Sequence, residues 1–312
     1  MSRRSPMRVV VHGGAGGAPD EPAPRQQALD RAAERGADAQ TPLDAVEAAL
    51  APLESSPRFN AGVGGAVQSD GVVRTDAGVM TSDREVGAAC SMPGVERAAS
   101  VARVVHSETP HVLVSGGHAV DLASEFGTET GVDLLTDETR ERYEAEDPPR
   151  GGPREHLGWL ATRFGSGGDR AGGGLNNGGA GGDEPGRAPD HDTVGAVASD
   201  GERFAAATST GGRSFALAGR VGDVPQVGSG FFCTEAGGAS ATGAGEDIAR
   251  VTLSRRAVGH LEDGLGAQAA ADRSIEEFEA ITESGAGVIV LGDDGAGSAF
   301  NTEEMQTSIA YK

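Results

Sequence analysis

The sequence predicts an α/β fold, a layered sandwich whose mainly antiparallel sheets are covered by helices. Short β-rich runs open and close each half of the chain, helix-period runs fill the space between them, and glycine-rich turns join neighbouring runs. At 312 residues the chain can bury a substantial core, as one large domain or two ordinary ones.

Along the chain, "MRVVVHGGAGGA" reads as a buried strand running into a glycine loop, followed by a helix around Arg25 to Gly36. A second helix fits "TPLDAVEAALAPLES": Thr41 caps it, Pro42 takes the first helical position, and Leu43, Val46, Ala49, Leu50 and Leu53 share a face. "GGAVQSDGVVRTDAGVM" reads as a hairpin about the turn Ser69-Asp70-Gly71. Helices are expected over Gly94 to Val105, Gly117 to Phe126 and Thr136 to about Trp159, the last interrupted by Pro148, Pro149 and Pro153. From Phe164 to Asp190 the composition collapses to Gly, Asp, Arg, Asn and Pro, too poor in apolar side chains to fold, so disorder is expected.

After this tract, "TVGAVASDGERFAAATSTGG" gives two small-residue strands about a Ser-Asp-Gly turn. The loop "GRVGDVPQVGSG" and the strand "FFCTEAGGASATGAG" follow. "EDIARVTLSRRAVGHLEDG" and "SIEEFEAITES" are helical, and "AGVIVLGDDGAGSAFNT" closes with a hairpin.

The charge balance is 26 basic against 47 acidic residues, a net −21, and Lys312 is the only lysine. So acidic a chain is a poor partner for nucleic acid. Excess carboxylates repel one another at low salt and are tolerated when salt screens them, so adaptation to a salty cytoplasm is one reading, beside an ordinary acidic protein. Cys90 and Cys233 stand far apart without CxxC spacing, which disfavours a disulfide framework or zinc site and suits small buried hydrophobes. The seven histidines show no paired ligand spacing. The Val run near the amino terminus is too short for a signal sequence and no stretch approaches a membrane span, so a soluble, cytoplasmic protein is expected.

The glycine tract ends abruptly on "HDTVGAVASDG". A chain cut before Thr193 would give that threonine an α-amine with a pKa of about 7.7 to 8.0, able to take the proton of its own hydroxyl. The plain alternative is a β-branched residue starting a strand. Arg220 and Asp223 in "GRVGD" offer a cation for an α-carboxylate and an anion for an α-ammonium, or else a surface ion pair. The loop "HGGAGGAPDEP" fails the GxGxxG spacing and lacks the Walker Lys and Ser/Thr, which weakens a nucleotide-binding alternative.

The ordered motifs "VVHGGAG", "FNAGVGGAV", "TDAGVM", "HDTVGAVASD", "ATSTGG", "GRVGDVP", "ATGAGE" and "AFNTEEM" resemble the plant-type asparaginase and isoaspartyl peptidase family of N-terminal nucleophile hydrolases. The resemblance spans nearly the whole chain outside the glycine tract. It implies a four-layer αββα sandwich and a precursor that cuts itself between Asp192 and Thr193. The products would be an α chain of residues 1–192, with 164–192 as a flexible tail, and a β chain of 193–312, held together as one domain and paired as a dimer of αβ units.

By the same resemblance, Thr193 is the nucleophile, Thr210 hydrogen-bonds and tunes it, and Thr242 and Gly243 supply oxyanion donors. Gly245 contacts substrate through its backbone, although Ala244 stands where many relatives have threonine. Asn60 positions the nucleophile, or serves as a turn Asn beside glycine. Arg220 and Asp223 grip the amino acid end of the substrate. "LESSPRFNAGV" resembles the family's sodium-stabilised loop, whose backbone carbonyls fall here on Leu53, Glu54, Ser56, Phe59, Ala61 and Val63. No catalytic cofactor is implied. The implied reaction is hydrolysis of L-asparagine, or of a β-aspartyl peptide, through a β-aspartyl ester. A glycosylasparaginase, which also carries "HDT", and a processed threonine protease are the neighbouring readings.

Overall fold

The computed structural model describes residues 6–164 and 193–312. The tract expected to be disordered, from Gly165 onward, and Asp192 lie outside the described residues. The first half contains β1 (Arg8–Gly16), α1 (Pro22–Ala37), α2 (Pro42–Glu54), β2 (Arg74–Thr81), β3 (Val86–Pro93), α3 (Ala98–Glu108), β4 (Leu113–Ser115), α4 (Gly116–Glu125), α5 (Asp137–Ala145) and α6 (Pro153–Phe164). The second contains β5 (Val194–Ser199), β6 (Phe204–Thr210), β7 (Phe231–Thr234), β8 (Gly237–Gly243), α7 (Gly245–Val251), α8 (Leu253–Glu262), α9 (Ala267–Ile281), β9 (Ala286–Gly292), β10 (Gly295–Phe300) and β11 (Glu304–Tyr311).

Local chemistry accounts for several boundaries. The Thr41 hydroxyl accepts the Asp44 N–H at 3.2 Å and Pro42 opens α2, as the sequence indicates. α1 starts at Pro22 rather than near Arg25, and α3 starts at Ala98 because Gly94, expected to open it, sits at φ +66. The single helix expected over Thr136 to Trp159 is two, and Pro153 begins α6 instead of interrupting a helix. α6 runs to Phe164, into the stretch read as disordered. α7 and α8 are separated at Thr252, whose φ is +53. The run "FFCTEAGGASATGAG" is a hairpin of two strands, β7 and β8. The hairpin about Ser69-Asp70-Gly71 reduces to one bridge, Val67 to Val73; β2 spends its length on β3 and β6.

The larger sheet has seven strands in the order β11-β1-β5-β6-β2-β3-β4, antiparallel except for the short β3–β4 pair. The smaller has four, β10-β9-β8-β7, all antiparallel. Side chains alternate across a strand, and here both sets are buried. Val9, Val11, Ala196, Ala198, Ala205 and Ala207 join the core that includes Leu29, Leu50 and Leu53 of α1 and α2. Val10, Val197 and Ala206 join a second core with Phe231, Ala239, Val258 and Phe278. α2 lies against β5 and β6, α3 against β2 and β3, and α8 and α9 against strands of the smaller sheet, while β5 and β6 meet β8. The approach between sheets is close: a Cβ on Gly78 would fall 1.9 Å from the Phe231 ring.

Candidate active site

Thr193 immediately precedes β5, in the middle of the larger sheet, and is 8% exposed. Val194 pairs with Ser209, so continuing the antiparallel register sets Thr193 across from Thr210 at the end of β6. The Thr193 hydroxyl donates to Thr210 Oγ1 at 3.3 Å, a loose contact for two hydroxyls. Thr210 Oγ1 accepts the Gly212 N–H at 3.1 Å. Asn60 ties down the same corner: Nδ2 donates to Gly212 O at 2.7 Å, Oδ1 accepts the Ala66 N–H at 2.8 Å, and its carbonyl accepts the Gly211 N–H at 3.0 Å. Three residues read as nucleophile, tuner and positioner therefore form one hydrogen-bonded group.

Thr242 and Gly243 end β8 in the smaller sheet. Thr242 Oγ1 accepts the Ala15 N–H at 3.3 Å, joining this corner to the glycine loop after the first strand's Val run. Gly243 has φ +132, and a Cβ there would lie 2.4 Å from Gly285 O, so only glycine fits.

Arg220 and Asp223, read as taking the two ends of an amino acid, sit in a charged cluster with a third member. Arg220 engages Glu246, not Asp223: Nε donates to Oε1 at 2.9 Å and Nη2 to Oε2 at 2.8 Å. Arg213 stands 3.9 Å from the same carboxylate. Burial pushes Glu246 up, but the hydrogen bonds and charge of Arg220, with Arg213, outweigh it and hold its pKa at about 2. Burial raises Asp223 to about 7 against the pull of Arg220, with Glu246 and Asp76 adding to the rise. Its Oδ2 has no hydrogen-bond partner among the described residues. A Cβ on Gly245 would lie 2.7 Å from Asp223 Oδ1 and 2.9 Å from Arg220 Nη2, so the glycine keeps the space beside both charges open.

Several further side chains were not singled out from the sequence, Glu54 having been named only for its backbone carbonyl. Asp76 of β2 pairs in register with Thr210, is buried, and accepts the Ser91 N–H at 2.6 Å. Burial raises it to about 7, with that N–H and Arg220 opposing. His12 lies across from Gly195, its Nε2 3.0 Å from Ser240 Oγ, which is 2.6 Å from Thr208 Oγ1. Burial pushes the imidazole down to about 3, the Thr193 backbone opposing, so it is neutral at pH 7. Glu54 Oε1 accepts from Ser209 Oγ at 2.6 Å and from the Ala99 N–H at 2.8 Å, and burial raises its carboxyl to about 7. Glu246 was within reach of the sequence, one residue beyond Gly245 in "ATGAGE"; Asp76 and Glu54 acquire their neighbours only on folding.

The loop read as a sodium site turns back on itself. Leu53 O accepts the Ser56 N–H at 3.2 Å, Ser56 O the Phe59 N–H at 3.2 Å, and Glu54 O the Val63 N–H at 2.9 Å. Each carbonyl keeps a second lone pair, and the donor set is all oxygen, the chemistry a hard cation takes. Among the described residues no group of three or more His, Cys, Asp or Glu is gathered as for a metal, and no helix is long and apolar enough to cross a membrane.

Comparison with known families sets the class, a hydrolase of the N-terminal nucleophile type, and the site accords with it in a buried threonine at a strand start with a second hydroxyl against it. The Asparaginase_2 (asparaginase) family profile matches residues 5–312, and the chain belongs to that family. It is 36% identical over 316 residues to the plant-type L-asparaginase of Pyrococcus furiosus, covering 95% of this chain and 94% of the relative. It is 32% identical over 302 residues to the isoaspartyl peptidase/L-asparaginase of Homo sapiens, covering 92% and 87%.

Proposed function

We propose that the chain is a self-cleaving amidohydrolase that converts L-asparagine to L-aspartate and ammonia and cleaves β-aspartyl peptides, with Thr193 as nucleophile. The observation that carries this is the Thr193 hydroxyl against Thr210, at the start of an interior strand of the larger sheet. In the precursor, Thr193 Oγ attacks the Asp192 carbonyl, the peptide C–N bond breaks and the Thr193 nitrogen leaves as a free amine with the hydroxyl's proton, and water then hydrolyses the resulting ester to an Asp192 carboxylate and the free Thr193 hydroxyl. In the mature enzyme that amine takes the hydroxyl proton as Oγ attacks the side-chain carbonyl of the substrate. The leaving ammonia or amine carries the proton away, and water hydrolyses the β-aspartyl ester.

In this reading Thr242 and Gly243 face the developing oxyanion, and Arg220 and Asp223 take the α-carboxylate and α-ammonium. The α chain ends at Asp192 and the β chain begins at Thr193, the two forming one αββα four-layer unit that pairs into a dimer. The carbonyls of Leu53, Glu54, Ser56, Phe59, Ala61 and Val63 would hold a structural sodium that takes no part in the chemistry. The activities for which the relatives are named, asparaginase and isoaspartyl peptidase, support the substrate class.

Intact-mass measurement and amino-terminal sequencing test the reading. Purified protein should give two fragments, the smaller beginning Thr193-Val194-Gly195. Thr193→Ala should remain one uncut, inactive chain, and Thr193→Ser should still cut, more slowly. An active wild-type chain that stays whole overturns the mechanism, and asparagine, a β-aspartyl dipeptide and glycosylasparagine assayed side by side fix the preference.

A further inference from the structure

We propose that Gln68 is a positioning residue for substrate recognition, holding the loop that carries Arg220 in the geometry needed to grip the substrate's α-carboxylate; this rests on the reading of Arg220 given above. The loop from Phe215 to Arg220 belongs to no strand, and two of its residues have left-handed backbones, Phe215 at φ +59 and Gly219 at φ +84. Such a segment needs partners from elsewhere to keep one conformation. It finds them in the turn from Val67 to Ser69.

The Phe215 N–H donates to Val67 O at 2.7 Å, and the Ser69 N–H donates to Ala216 O at 2.8 Å. Ser69 Oγ accepts the Ala218 N–H at 3.1 Å. Gln68 then takes the two residues that matter most: its Oε1 accepts the Gly219 N–H at 2.8 Å and its Nε2 donates to Arg220 O at 3.0 Å. Arg74 Nη1 donates to the same Oε1 at 2.8 Å, so the oxygen faces two donors and the nitrogen an acceptor, which settles which way the amide points. Gln68 is 1% exposed, and no bulk water reaches it to replace these bonds if they are lost. Behind the turn, Tyr143 donates its hydroxyl to Ser69 O at 3.1 Å and stacks at 6.5 Å on Phe215.

Bidentate recognition by a guanidinium tolerates little displacement of its backbone, about 0.5 Å. The Arg220 side chain is already aligned on one edge by Glu246. Gln68 fixes the other end of the same residue, its main chain. The strap also crosses the expected cut, since Gln68 lies before Thr193 and Arg220 after it.

The test compares mature enzymes acting on L-asparagine and on its α-methyl ester, which lacks the charged carboxylate. Gln68→Met keeps the volume and removes the amide; Gln68→Glu keeps an acceptor for Gly219 and Arg74 but sets a carboxylate oxygen against Arg220 O. Both should self-cleave, raise KM for asparagine about tenfold with kcat within about twofold, and shrink the preference for acid over ester by a similar factor. If Gln68→Met leaves that preference unchanged, or lowers kcat/KM equally for both substrates, Gln68 acts only on general stability and the inference fails. Should both variants fail to fold, Ser69→Ala, which loses a single bond to the loop, must show the same shift at about threefold, and an unchanged preference there also overturns the inference. A wild-type enzyme with no preference for the free acid would instead bring down the Arg220 reading.

Discussion

Arg220 and Asp223 could be picked out from "GRVGD", because a cation and an anion three residues apart suit an amino acid end, but the sequence did not show Glu246 as the neighbour of Arg220. The fork of Arg220 goes to Glu246, and Asp223 Oδ2 has no hydrogen-bond partner among the described residues. Asp76 was hidden for a physical reason: its place across from Thr210 is created by strand register. Its carboxyl, raised from 3.8 to about 7, holds its proton more tightly folded than unfolded. That contribution to stability is complete below about pH 4 and is lost as pH rises toward 7. Asp76→Asn removes the titration, so the unfolding free energy of the variant minus that of wild type should climb between pH 4 and 7 by up to about 4 kcal/mol, then level off. Urea unfolding at several pH values checks it; a pH-independent difference would count against a buried, raised carboxyl.

Among the elements, those with strong local signals were readable: α2 from its cap and apolar face, β5 and β6 from their turn, β9 and β10 from a hairpin pattern. β3 and β11 were not read at all. The centre of β3 is "GAAC", residues with little intrinsic strand preference, and it becomes a strand because α3 packs so tightly that a Cβ on Gly87 would lie 2.2 Å from Ala102 O. Small residues between layers are thus a packing requirement, and Gly78 tests it. Its missing Cβ is space already filled by Phe231 of the facing sheet. Gly78→Ala should cost about 3 kcal/mol in denaturant unfolding. Gly158→Ala, in α6 with nothing within 4 Å of the added Cβ, should be neutral or stabilise by about 0.5 to 1 kcal/mol. Similar effects at the two sites would refute the close sheet contact as the cause.

For the whole molecule, composition announced the charge, and several of the ion pairs among the described residues lie at the surface. Pairs such as Arg84 with Glu262 and Arg273 with Glu276 are largely exposed, where ion pairs contribute roughly 0 to 1 kcal/mol. A net −21 therefore acts as a distributed repulsion. Raising KCl from about 0.1 M to about 1 M shortens the screening length from about 10 Å to about 3 Å, and Tm should rise with it. A melting temperature that does not move across that range would return the charge to an ordinary surface feature.

What no local pattern revealed is the strand order, in which β5 enters between β1 and β6. Taken with the proposed cut, this order has a kinetic consequence. Across the larger sheet, β11, β5 and β6 come from one side of Thr193 and β1, β2, β3 and β4 from the other, so the fragments are interleaved within a single hydrogen-bonded layer. The precursor folds as one chain, with closure of its own loops bringing the strands together. Once cut, reassembly requires two separate polypeptides to meet and thread their strands in register, a concentration-dependent event on a slower timescale. The lifetime of the mature enzyme is then governed by how slowly it unfolds, because the route that built it no longer exists.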